Sequence, residues 1–336
     1  MSTTITLAHG AGGRASDELL REVILPAIGE GTGNALCDSA VLPSPGETIA
    51  FTTDGFTVTP LFFPGGNIGR LAVFGTVNDL AMVGAVPQVL SLAMIVEEGF
   101  SIDVLRQLGR EVGAAAREAS VRIVTGDTKV VGKGAVDALF VTTSGIGSVA
   151  AGLPKLSPDQ ARPGDALLVS GTMGDHGLAV LAARERLSFT PQVKSDCAPL
   201  SPLVQCLLGA VPGVRCLRDP TRGGLASVLN EFARASHAGL VIDEGAVPVH
   251  SVVSSLCEIL GLDPFYLANE GKLVAIVDGA QAERACAALR DHPLGRDACC
   301  IGRVTSEHPG VVVLRTHLGT NRIVEYPTGE LLPRIC

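Results

Sequence analysis

Val149-Ala-Ala-Gly-Leu-Pro-Lys-Leu-Ser-Pro158 is a turn-rich stretch near the middle of the chain. Gly and Pro clustered in this way interrupt helix and strand patterns alike. At 336 residues the chain is long enough for two domains, each with its own core. We therefore predict a two-domain α/β (α+β) fold, with a first domain over residues 1–150, a second over 151–325 and a tail over 326–336.

The segments on both sides of this stretch alternate between the strand period and the helix period. Before it, the pattern predicts strands near 48–53, 89–96, 121–125 and 138–146, and helices near 67–83 and 103–119. After it, the pattern predicts strands near 166–170, 239–242, 272–277, 299–304 and 311–314, and helices near 176–186, 201–208, 221–235, 251–260 and 280–290. Asn67 and Ser101 stand where they can cap two of these helices.

The composition excludes several classes of protein. The formal net charge is −8 and the basic residues form no stripe, which argues against nucleic-acid binding. The most apolar stretch, residues 71–96, contains Asn78 and Asp79 and is too polar to span a membrane. Residues 1–13 lack a basic region followed by an apolar one, so we see no secretory signal and expect a cytoplasmic protein.

Nine cysteines at irregular spacings, with no CxxC pair, do not form a disulfide framework. The adjacent Cys299 and Cys300 raise the question of a metal site or a vicinal disulfide. Neighbours on a strand point to opposite faces, so we predict two packed thiols instead.

The glycine-rich start of the chain imitates a dinucleotide-binding motif. Gly10-Ala-Gly-Gly-Arg-Ala15 fits GxGxxA, and Asp38 follows at about the required twenty residues. The segment after Asp38 is rich in Pro instead of forming a crossover helix, which disfavours a Rossmann fold. No GxxxxGK[ST] sequence occurs either, so a nucleotide would be held in another way.

Four aspartates of the predicted first domain supply the oxygen ligands that Mg²⁺ takes beside nucleotide phosphates. They are Asp38, Asp54, Asp79 and Asp127. Each alone is more often a turn or cap residue, but the set of four predicts a metal–nucleotide site. Asp79 gives the strongest indication of the four, because a charged side chain inside an apolar helix must be paired with another group or bind a ligand.

Two glycine-rich turns of the predicted second domain, Ser170–Gly177 and Arg218–Gly224, are suited to present backbone N–H groups to an anion. Arg222 is available for a phosphate. Ordinary turn chemistry is an equal alternative for each of them. His176 is predicted to be a cap residue, since no particular cysteine pairs with it.

Glu270 and Lys272 stand just before an apolar strand. A carboxylate in such a turn is ordinarily solvated. A turn at the start of a strand is also a favourable position for a general base. Partial burial there would raise the pKa of Glu270.

Residues 326–336 contain two Pro and one Gly, which predicts an extended, mobile tail. Its last residue is Cys336. The alternative is an exposed cysteine without a function. Such a thiol is open to oxidation, which disfavours this alternative. We predict that Cys336 is a reactive carrier thiol able to enter a cleft.

Taken together, these segments resemble the hydrogenase maturation factors of the superfamily that includes aminoimidazole ribonucleotide synthetase and selenophosphate synthetase. The segments that carry the resemblance are Leu7–Gly13, Pro60–Gly69, Thr125–Val131, Ser170–Gly177, Arg218–Gly224, Asn269–Leu273 and Pro333–Cys336. Pro333-Arg-Ile-Cys336 is the most specific, because the other superfamily enzymes lack it. The resemblance implies a PurM-like synthetase fold whose first domain pairs its sheet across a two-fold axis, with ATP at the interface of a homodimer.

The resemblance also implies an activity, that of an ATP-dependent carbamoyl dehydratase. A partner carbamoyltransferase, HypF, would load a carbamoyl group onto Cys336, and ATP would drive its dehydration to a thiocyanate. The thiocyanate would supply the cyanide ligand for the iron of nickel–iron hydrogenases, through a HypC–HypD scaffold.

Site residues follow from the same resemblance. The residues that match the ATP–magnesium motifs, and that we expect to bind ATP or Mg²⁺, are Asp38, Asp54, Asn78, Asp79, Thr125, Gly126 and Asp127. Glu270 is the predicted base for the thiocarbamate N–H. Lys129 would steady the developing phosphate charge or hold Glu270 ionised. Asp38, set among Pro and Gly, is the weakest match.

Two other functions stay open at this point. One is another ATP-dependent synthetase of the superfamily that releases a small-molecule product. The other is a non-catalytic thiol or metal shuttle that uses Cys336 with Cys299 and Cys300.

Overall fold

The computed structural model describes residues 4–10, 14–29, 42–44 and 46–327. Two predicted functional residues, Asp38 and Cys336, lie outside these ranges. The described part of the chain forms two α/β domains, each built on its own sheet. None of the helices in this part is long and apolar enough to cross a bilayer.

The described N-terminal residues form helix and not the strand of a dinucleotide fold. A 3₁₀ turn, Leu7–Gly10, is followed by α1 (Arg14–Leu19), a π-helical turn (Leu20–Ile24) and α2 (Leu25–Ile28). Strand pairing is limited to one bridge between Thr4 and Ser101. This arrangement agrees with the rejection of a Rossmann fold.

The first domain is a four-stranded sheet with helices on one face. Its elements are β1 (Ile49–Phe56), β2 (Phe62–Phe63), β3 (Gly66–Asn67), α3 (Ile68–Met82), β4 (Val86–Glu97), α4 (Ile102–Glu118), β5 (Arg122–Val131) and β6 (Leu139–Ser148). The strand order is β1-β6-β4-β5, and β2 and β3 form a separate small hairpin. Among the neighbouring pairs of this sheet, only β4 and β5 are parallel, and they are joined by α4. Helices α3 and α4 pack on the same face of this first sheet.

Helix α3 is apolar on all sides because it lies between the two domains. Its N-terminus is capped by Asn67, whose Oδ1 accepts the N–H of Arg70 over 3.0 Å. Phe74 packs into the core of the first domain, whereas Ala81 and Met82 pack into a core of the second. The helix therefore belongs to both cores.

The other face of the first sheet carries exposed apolar side chains. Phe51 is 66% exposed, Ile49 52% and Ile95 38%. No described element covers this side, which we call the open face and define by these three residues together with Thr142 and Phe140. An apolar surface of this kind is a typical site of association.

The second domain is a seven-stranded sheet with helices on both faces. Its elements are β7 (Ala166–Val169), α5 (Asp175–Arg184), α6 (Ser201–Ala210), β8 (Val214–Arg218), α7 (Gly224–Ser236), β9 (Gly239–Asp243), α8 (Ser251–Leu260), β10 (Val274–Val277), α9 (Ala282–Arg290), β11 (Cys299–Thr305), β12 (Val312–Arg315) and β13 (Asn321–Ile323). The strand order is β13-β12-β9-β11-β7-β10-β8. Helix α7 packs in one core, and α6 and α9 pack in another.

The predicted sequence of strands and helices is confirmed for the interior of both sheets. β8 and β13 were not predicted, and β5 runs to Val131 instead of ending near residue 125. β8 and β13 are only five and three residues long, too short to show a period, and the second half of β5 begins with the mostly polar residues 125–129. As a consequence, Asp127 lies within a strand and not in the turn after one.

Candidate active site

A cavity of about 440 Å³ lies where the two domains meet. The first domain contributes β1 and α3 to its wall, and the second contributes the turn after β8 and the turn before β10. The polar residues that line it are Thr52, Thr53, Asp54, Asp79, Arg218, Asp219, Thr221, Arg222 and Glu270. The cavity thus brings predicted residues of both domains together.

Asp54 and Asp79 form the first-domain side of the cavity. The N–H of Gly55 donates to Asp54 Oδ1 over 2.7 Å, and Thr52 Oγ1 donates to Asp79 Oδ2 over 3.0 Å. Burial raises the pKa of both carboxyls, and Asp54 raises that of Asp79 further. Two carboxylates that oppose each other's ionisation favour a cation between them.

The donor chemistry of this pair fits Mg²⁺. Within the described residues, Asp54 Oδ2 and Asp79 Oδ1 make no hydrogen bond and remain available as ligands. No three metal-ligating side chains converge in the described part of the chain. A nucleotide-bound Mg²⁺ commonly uses one or two carboxylates together with phosphate oxygens, so a pair is sufficient.

Asp219 was not predicted from the sequence. Burial, followed by the charge of Asp79, raises the pKa of Asp219 to about 7. It stands directly after β8, inside the Arg218–Gly224 motif. A prediction of β8 would have placed an aspartate at a strand end, which is the signal used for the other acids.

Two arginines of the same motif give the cavity positive charge. Arg218 pairs with Glu231, and the distance from Nη2 to Oε2 is 3.0 Å. Arg222 makes no ion pair with any described residue, and its charge lowers the pKa of Asp54 and Asp79. Its guanidinium is therefore placed to bind phosphate, as predicted for this residue.

Glu270 is buried against the second-domain side of the cavity. Burial raises the pKa of its carboxyl well above the ordinary value, and the charges of Asp219 and Asp196 raise it further. The main chain of Glu270 is fixed: its N–H donates to Asp196 Oδ1 over 3.0 Å. The raised pKa makes the ionised form of this fixed carboxyl a stronger base than an ordinary carboxylate.

Asn78 occupies a different place from the one predicted. Its Nδ2 donates to the carbonyl oxygens of Ala198 at 3.1 Å and Glu270 at 3.2 Å, and its Oδ1 accepts from the N–H of Leu200 at 2.7 Å. Both amide donors are thus occupied by the second domain. Asn78 bridges the domains and offers no donor to a nucleotide.

Comparison with known proteins identifies the family. Residues 37–149 match the N-terminal domain of AIR synthase related proteins, and residues 162–315 match the C-terminal domain. The carbamoyl dehydratase HypE of Rhodobacter capsulatus is 51% identical over 99% of this chain and 98% of its own length. This chain belongs to the HypE family.

Solved structures of HypE proteins share the whole fold. A HypE crystal structure in complex with ATP superposes with a TM-score of 0.94 at 49% identity, covering 99% of this chain and 100% of that one. The HypE chain of a HypE–HypF complex superposes with a TM-score of 0.80 at 49% identity, covering 83% of this chain and 90% of that one. The fold predicted from the resemblance is therefore confirmed.

The remaining HypE motif of the first domain, Thr125–Val131, lies away from the cavity. Asp127 and Lys129 form an ion pair, Oδ2 to Nζ 2.9 Å, and the hydrogen bond from Lys129 lowers the pKa of Asp127. They lie on β5, at the opposite edge of the first sheet from β1. Their register partners on β4 are Ala93 and Ile95, so both side chains belong to the open face.

The predicted site residues therefore fall into two groups within one chain. Asp54, Asp79 and Glu270 share the cavity, but Thr125, Gly126, Asp127 and Lys129 do not line it. Asp127 therefore does not complete a metal site with Asp54 and Asp79 inside one chain. Asp38 and Cys336 lie outside the described residues and stay predictions.

In the other glycine-rich turn, Ser170–Gly177, backbone N–H groups already donate to acceptors of the protein. The N–H of Met173 donates to Pro248 O, that of Gly174 to Asn269 Oδ1 and that of Gly177 to Ala268 O. These bonds favour the ordinary-turn alternative over an anion site. The prediction that His176 is a cap residue is wrong. His176 is buried inside α5, and its Nδ1 lies 2.8 Å from Ser195 Oγ.

The described cysteines are free thiols. Cys299 Sγ donates to Ala246 O at 3.2 Å, and Cys300 Sγ donates to Gly302 O at 3.4 Å. Burial raises the pKa of Cys299 to about 11. The two thiols point away from each other and form no disulfide, but the prediction that both are packed is wrong for Cys300, which is exposed, whereas Cys299 is partly buried. The thiol of Cys299 is held in its unreactive protonated form.

Proposed function

We propose that this protein is an ATP-dependent carbamoyl dehydratase, a lyase that converts an S-carbamoyl group on Cys336 to a thiocyanate. The names of its relatives and the ATP complex of one of them support the proposal. The observation that carries it is the cavity itself, which combines carboxylates and a free guanidinium suited to a metal-bound nucleotide with the buried carboxyl of Glu270.

The reaction balances with one ATP. The carbamoyl oxygen attacks the γ-phosphorus, an O–P bond forms and the bond to ADP breaks. One N–H proton leaves, which gives an imidate phosphate. The C–O bond then breaks as the second N–H proton leaves, yielding S–C≡N, phosphate and ADP. The carbamoyl oxygen departs in the phosphate, which takes up one of the two protons as HPO₄²⁻, and the other proton is released.

The nucleotide side of the site is provided by Asp54, Asp79 and Arg222. When bound, Mg²⁺ would supply neutralisation of the phosphate charge. Asp54 and Asp79 would hold it through their available oxygens, and Arg222 would bind a phosphate directly. Asp38 would join this set if it lies where the family motif predicts.

Glu270 is the proposed base for the thiocarbamate N–H. Its raised pKa means that the ionised form is a strong enough base for an activated N–H at neutral pH. The positive charge of Arg222 in the same cavity, and the nucleotide-bound metal beside Asp79, would favour the ionised form during the reaction.

The last described residues bring the chain to the rim of this cavity. Pro327 lies against Gly223, where a Cβ would be 3.2 Å from Pro327 Cγ, and Gly223 follows the lining residue Arg222. The Tyr326 ring stacks with the guanidinium of Arg234 at 4.5 Å. Cys336 is nine residues beyond Pro327, and a chain of that length reaches at most roughly 30 Å. This reach supports delivery of a group on Cys336 to Glu270.

A homodimer would complete the site. The cavity is lined by Phe51 and Thr53 as well as Thr52 and Asp54, so it opens around the edge strand β1 onto the open face. A two-fold axis along the strands would place β5 of a second copy over β1. Asp127 and Lys129 of that copy would then stand beside the nucleotide, where Lys129 would steady the phosphate charge.

The partners follow from the chemistry. A carbamoyltransferase must supply the carbamoyl group, and one relative was crystallised as a HypE–HypF complex. The thiocyanate would pass its cyanide to iron on a HypC–HypD scaffold in the cytoplasm. These steps, like the Mg²⁺ and the dimer, are parts of the proposal.

Mass measurement of the intact protein and of its proteolytic peptides tests the proposed function. The protein is incubated with the carbamoyltransferase and carbamoyl phosphate, then with ATP and Mg²⁺. We expect the C-terminal peptide to gain a carbamoyl group and then to lose one water. Cys336→Ser should abolish both changes, whereas Cys206→Ser, which removes an exposed thiol elsewhere, should not. A carbamoyl group on any other residue, or ATP turnover without loss of water, would exclude the proposed reaction.

A further inference from the structure

The side-chain amide of Asn78 joins the two domains at one point. Asn78 lies on α3 of the first domain and is 1% exposed. All the hydrogen bonds that its amide makes with described residues cross to the second domain, to Ala198, Leu200 and Glu270. A buried amide that loses these partners would leave polar groups unsatisfied on both sides, so the contact is strongly held.

The partner of Asn78 that matters most is the main chain of Glu270. Its carbonyl oxygen accepts from Asn78 Nδ2 and from the N–H of Ala198, and its N–H donates to Asp196. The carboxylate of Asp196 is buried, with its second oxygen 3.5 Å from Lys272 Nζ. The peptide groups on both sides of the Glu270 Cα are therefore fixed, and the side chain is aimed by its backbone.

Gly271 shows how tightly this turn is pressed against its neighbour. A Cβ at Gly271 would lie 1.8 Å from the carbonyl oxygen of Asp196, a distance that no side chain allows. The segment at residues 196–200 thus lies directly on the turn at residues 269–271. Asn78 binds both of these segments and locks them to α3.

Asn78 is also the immediate neighbour of Asp79. Asp79 lines the cavity, and Asn78 donates a hydrogen bond to the carbonyl oxygen of Glu270. One rigid helix therefore sets the distance between the nucleotide-side carboxylate and the base. We infer that Asn78 is a positioning residue that holds Glu270 at a fixed distance from Asp79. This inference rests on the proposed function, in which Glu270 is the base.

The competing assignment is that Asn78 binds the nucleotide or its metal. In that case Asn78→Asp would keep an oxygen ligand, and Asn78→Ala would weaken ATP binding. A positioning role predicts the reverse. Asn78→Asp keeps the acceptor for Leu200 but sets an oxygen against the carbonyls of Ala198 and Glu270, so it should be at least as damaging as Asn78→Ala.

The experiment measures single-turnover dehydration of carbamoylated Cys336 and the dissociation constant of ATP with Mg²⁺. We expect Asn78→Ala and Asn78→Asp to slow dehydration by about tenfold or more, because a small displacement of the base costs this much. The dissociation constant should change less than about twofold. Asn67→Ala is the matched control: it removes another buried amide from the N-terminus of α3 and lowers the melting temperature without touching Glu270.

A double mutant tests whether Asn78 acts through Glu270. Adding Asn78→Ala to Glu270→Gln should slow the residual reaction less than about twofold, since the base is already absent. Additive losses would overturn the inference. So would weaker ATP binding that follows the loss of rate, or an Asn78→Asp variant with the wild-type rate.

Hydrogen exchange separates this inference from the proposed function. In the free protein, Asn78→Ala should speed exchange in the peptides covering 196–200 and 269–273, and Asn67→Ala should not. If wild-type protein fails to dehydrate the carbamoyl group, the proposed function is wrong, but the exchange result still decides whether Asn78 holds the turn. Unchanged exchange in Asn78→Ala shows that it does not.

Discussion

Thr52 on β1 donates a hydrogen bond to Asp79 on α3, Oγ1 to Oδ2 3.0 Å. Burial raises the pKa of Asp79, and this hydroxyl is the strongest influence that lowers it again. Thr52 thus favours the ionised carboxylate, which is the form that binds a cation.

Thr52→Val should weaken binding of ATP with Mg²⁺ by about tenfold or more, the value of one hydrogen bond to a charged group. Without the hydroxyl the pKa of Asp79 rises, so the variant loses more affinity at pH 6 than at pH 8. Calorimetric titration at both pH values measures this. Thr316→Val, on the exposed β12–β13 hairpin, is the control and should bind as wild type. A loss that is equal at both pH values would show that Thr52 does not act on the ionisation of Asp79.

Glu270→Gln should retain ATP binding and lose dehydration by about a hundredfold or more, as expected for removal of a general base. For the wild type, the single-turnover rate should rise with pH through a midpoint well above 4.5, the ordinary value, because burial raises the pKa of Glu270 and the ionised form is required. The variant should lack this pH dependence. Glu283→Gln, on α9, provides the matched control. A normal rate in Glu270→Gln would remove this residue from the mechanism.

Asp219→Asn should stabilise the nucleotide-free protein at high pH. The pKa of Asp219 is about 7 in the folded state against 3.8 ordinarily, so folding favours its protonated form. Its contribution to the free energy of unfolding is full below pH 4 and is lost as pH rises through 7. The variant should therefore gain up to about 4 kcal/mol over wild type at pH 8 and nothing at pH 4. Chemical denaturation at both values tests this, and a gain at pH 4 would contradict it.

Lys129→Ala and Glu270→Gln should complement each other if a second copy completes the site. Each variant alone is expected to be inactive in dehydration. After mixing and exchange of subunits, about half the dimers are mixed and each has one intact site, so about a quarter of the wild-type rate should return. No recovery, with subunit exchange verified by mass spectrometry, would place Lys129 and Glu270 in the same chain's site or outside it.

Phe51→Asp should separate the proposed dimer. It places a charge at the most exposed apolar side chain of the open face, and burying that charge would be unfavourable. Light scattering should report a monomer, with unchanged far-UV circular dichroism. Leu318→Asp is the control, because Leu318 is 89% exposed on the β12–β13 hairpin away from this face. A dimer that survives Phe51→Asp would require another interface.

The sequence was sufficient for the elements that have an apolar pattern. Helix α3 and the buried strands of both sheets were predictable because burial imposes the spacing of their side chains. Short strands such as β8 were not, since its five residues, two of them arginines, are too few to show a period. Missing β8 also meant missing Asp219, which stands at its end.

Neighbouring residues show the limit of prediction for the site. Asn78 and Asp79 are adjacent, and both are polar in an apolar helix, so a sequence pattern gives them the same interpretation. Only the packing of the second domain against α3 shows that Asn78 donates a hydrogen bond to the main chain of Glu270, whereas Asp79 faces the cavity. Similarly, the strand register was needed to place Asp127 on the open face.

The contact between Pro327 and Gly223 has a consequence for selectivity. Under the proposed function, a thiol tethered by so short a segment is present at its own site at an effective concentration in the millimolar range. A free thiocarbamate would have to reach that concentration to compete, even with equal intrinsic affinity. Covalent connection alone then makes the enzyme selective for its own cysteine over other carbamoylated thiols. The cavity therefore need not recognise the protein part of its substrate.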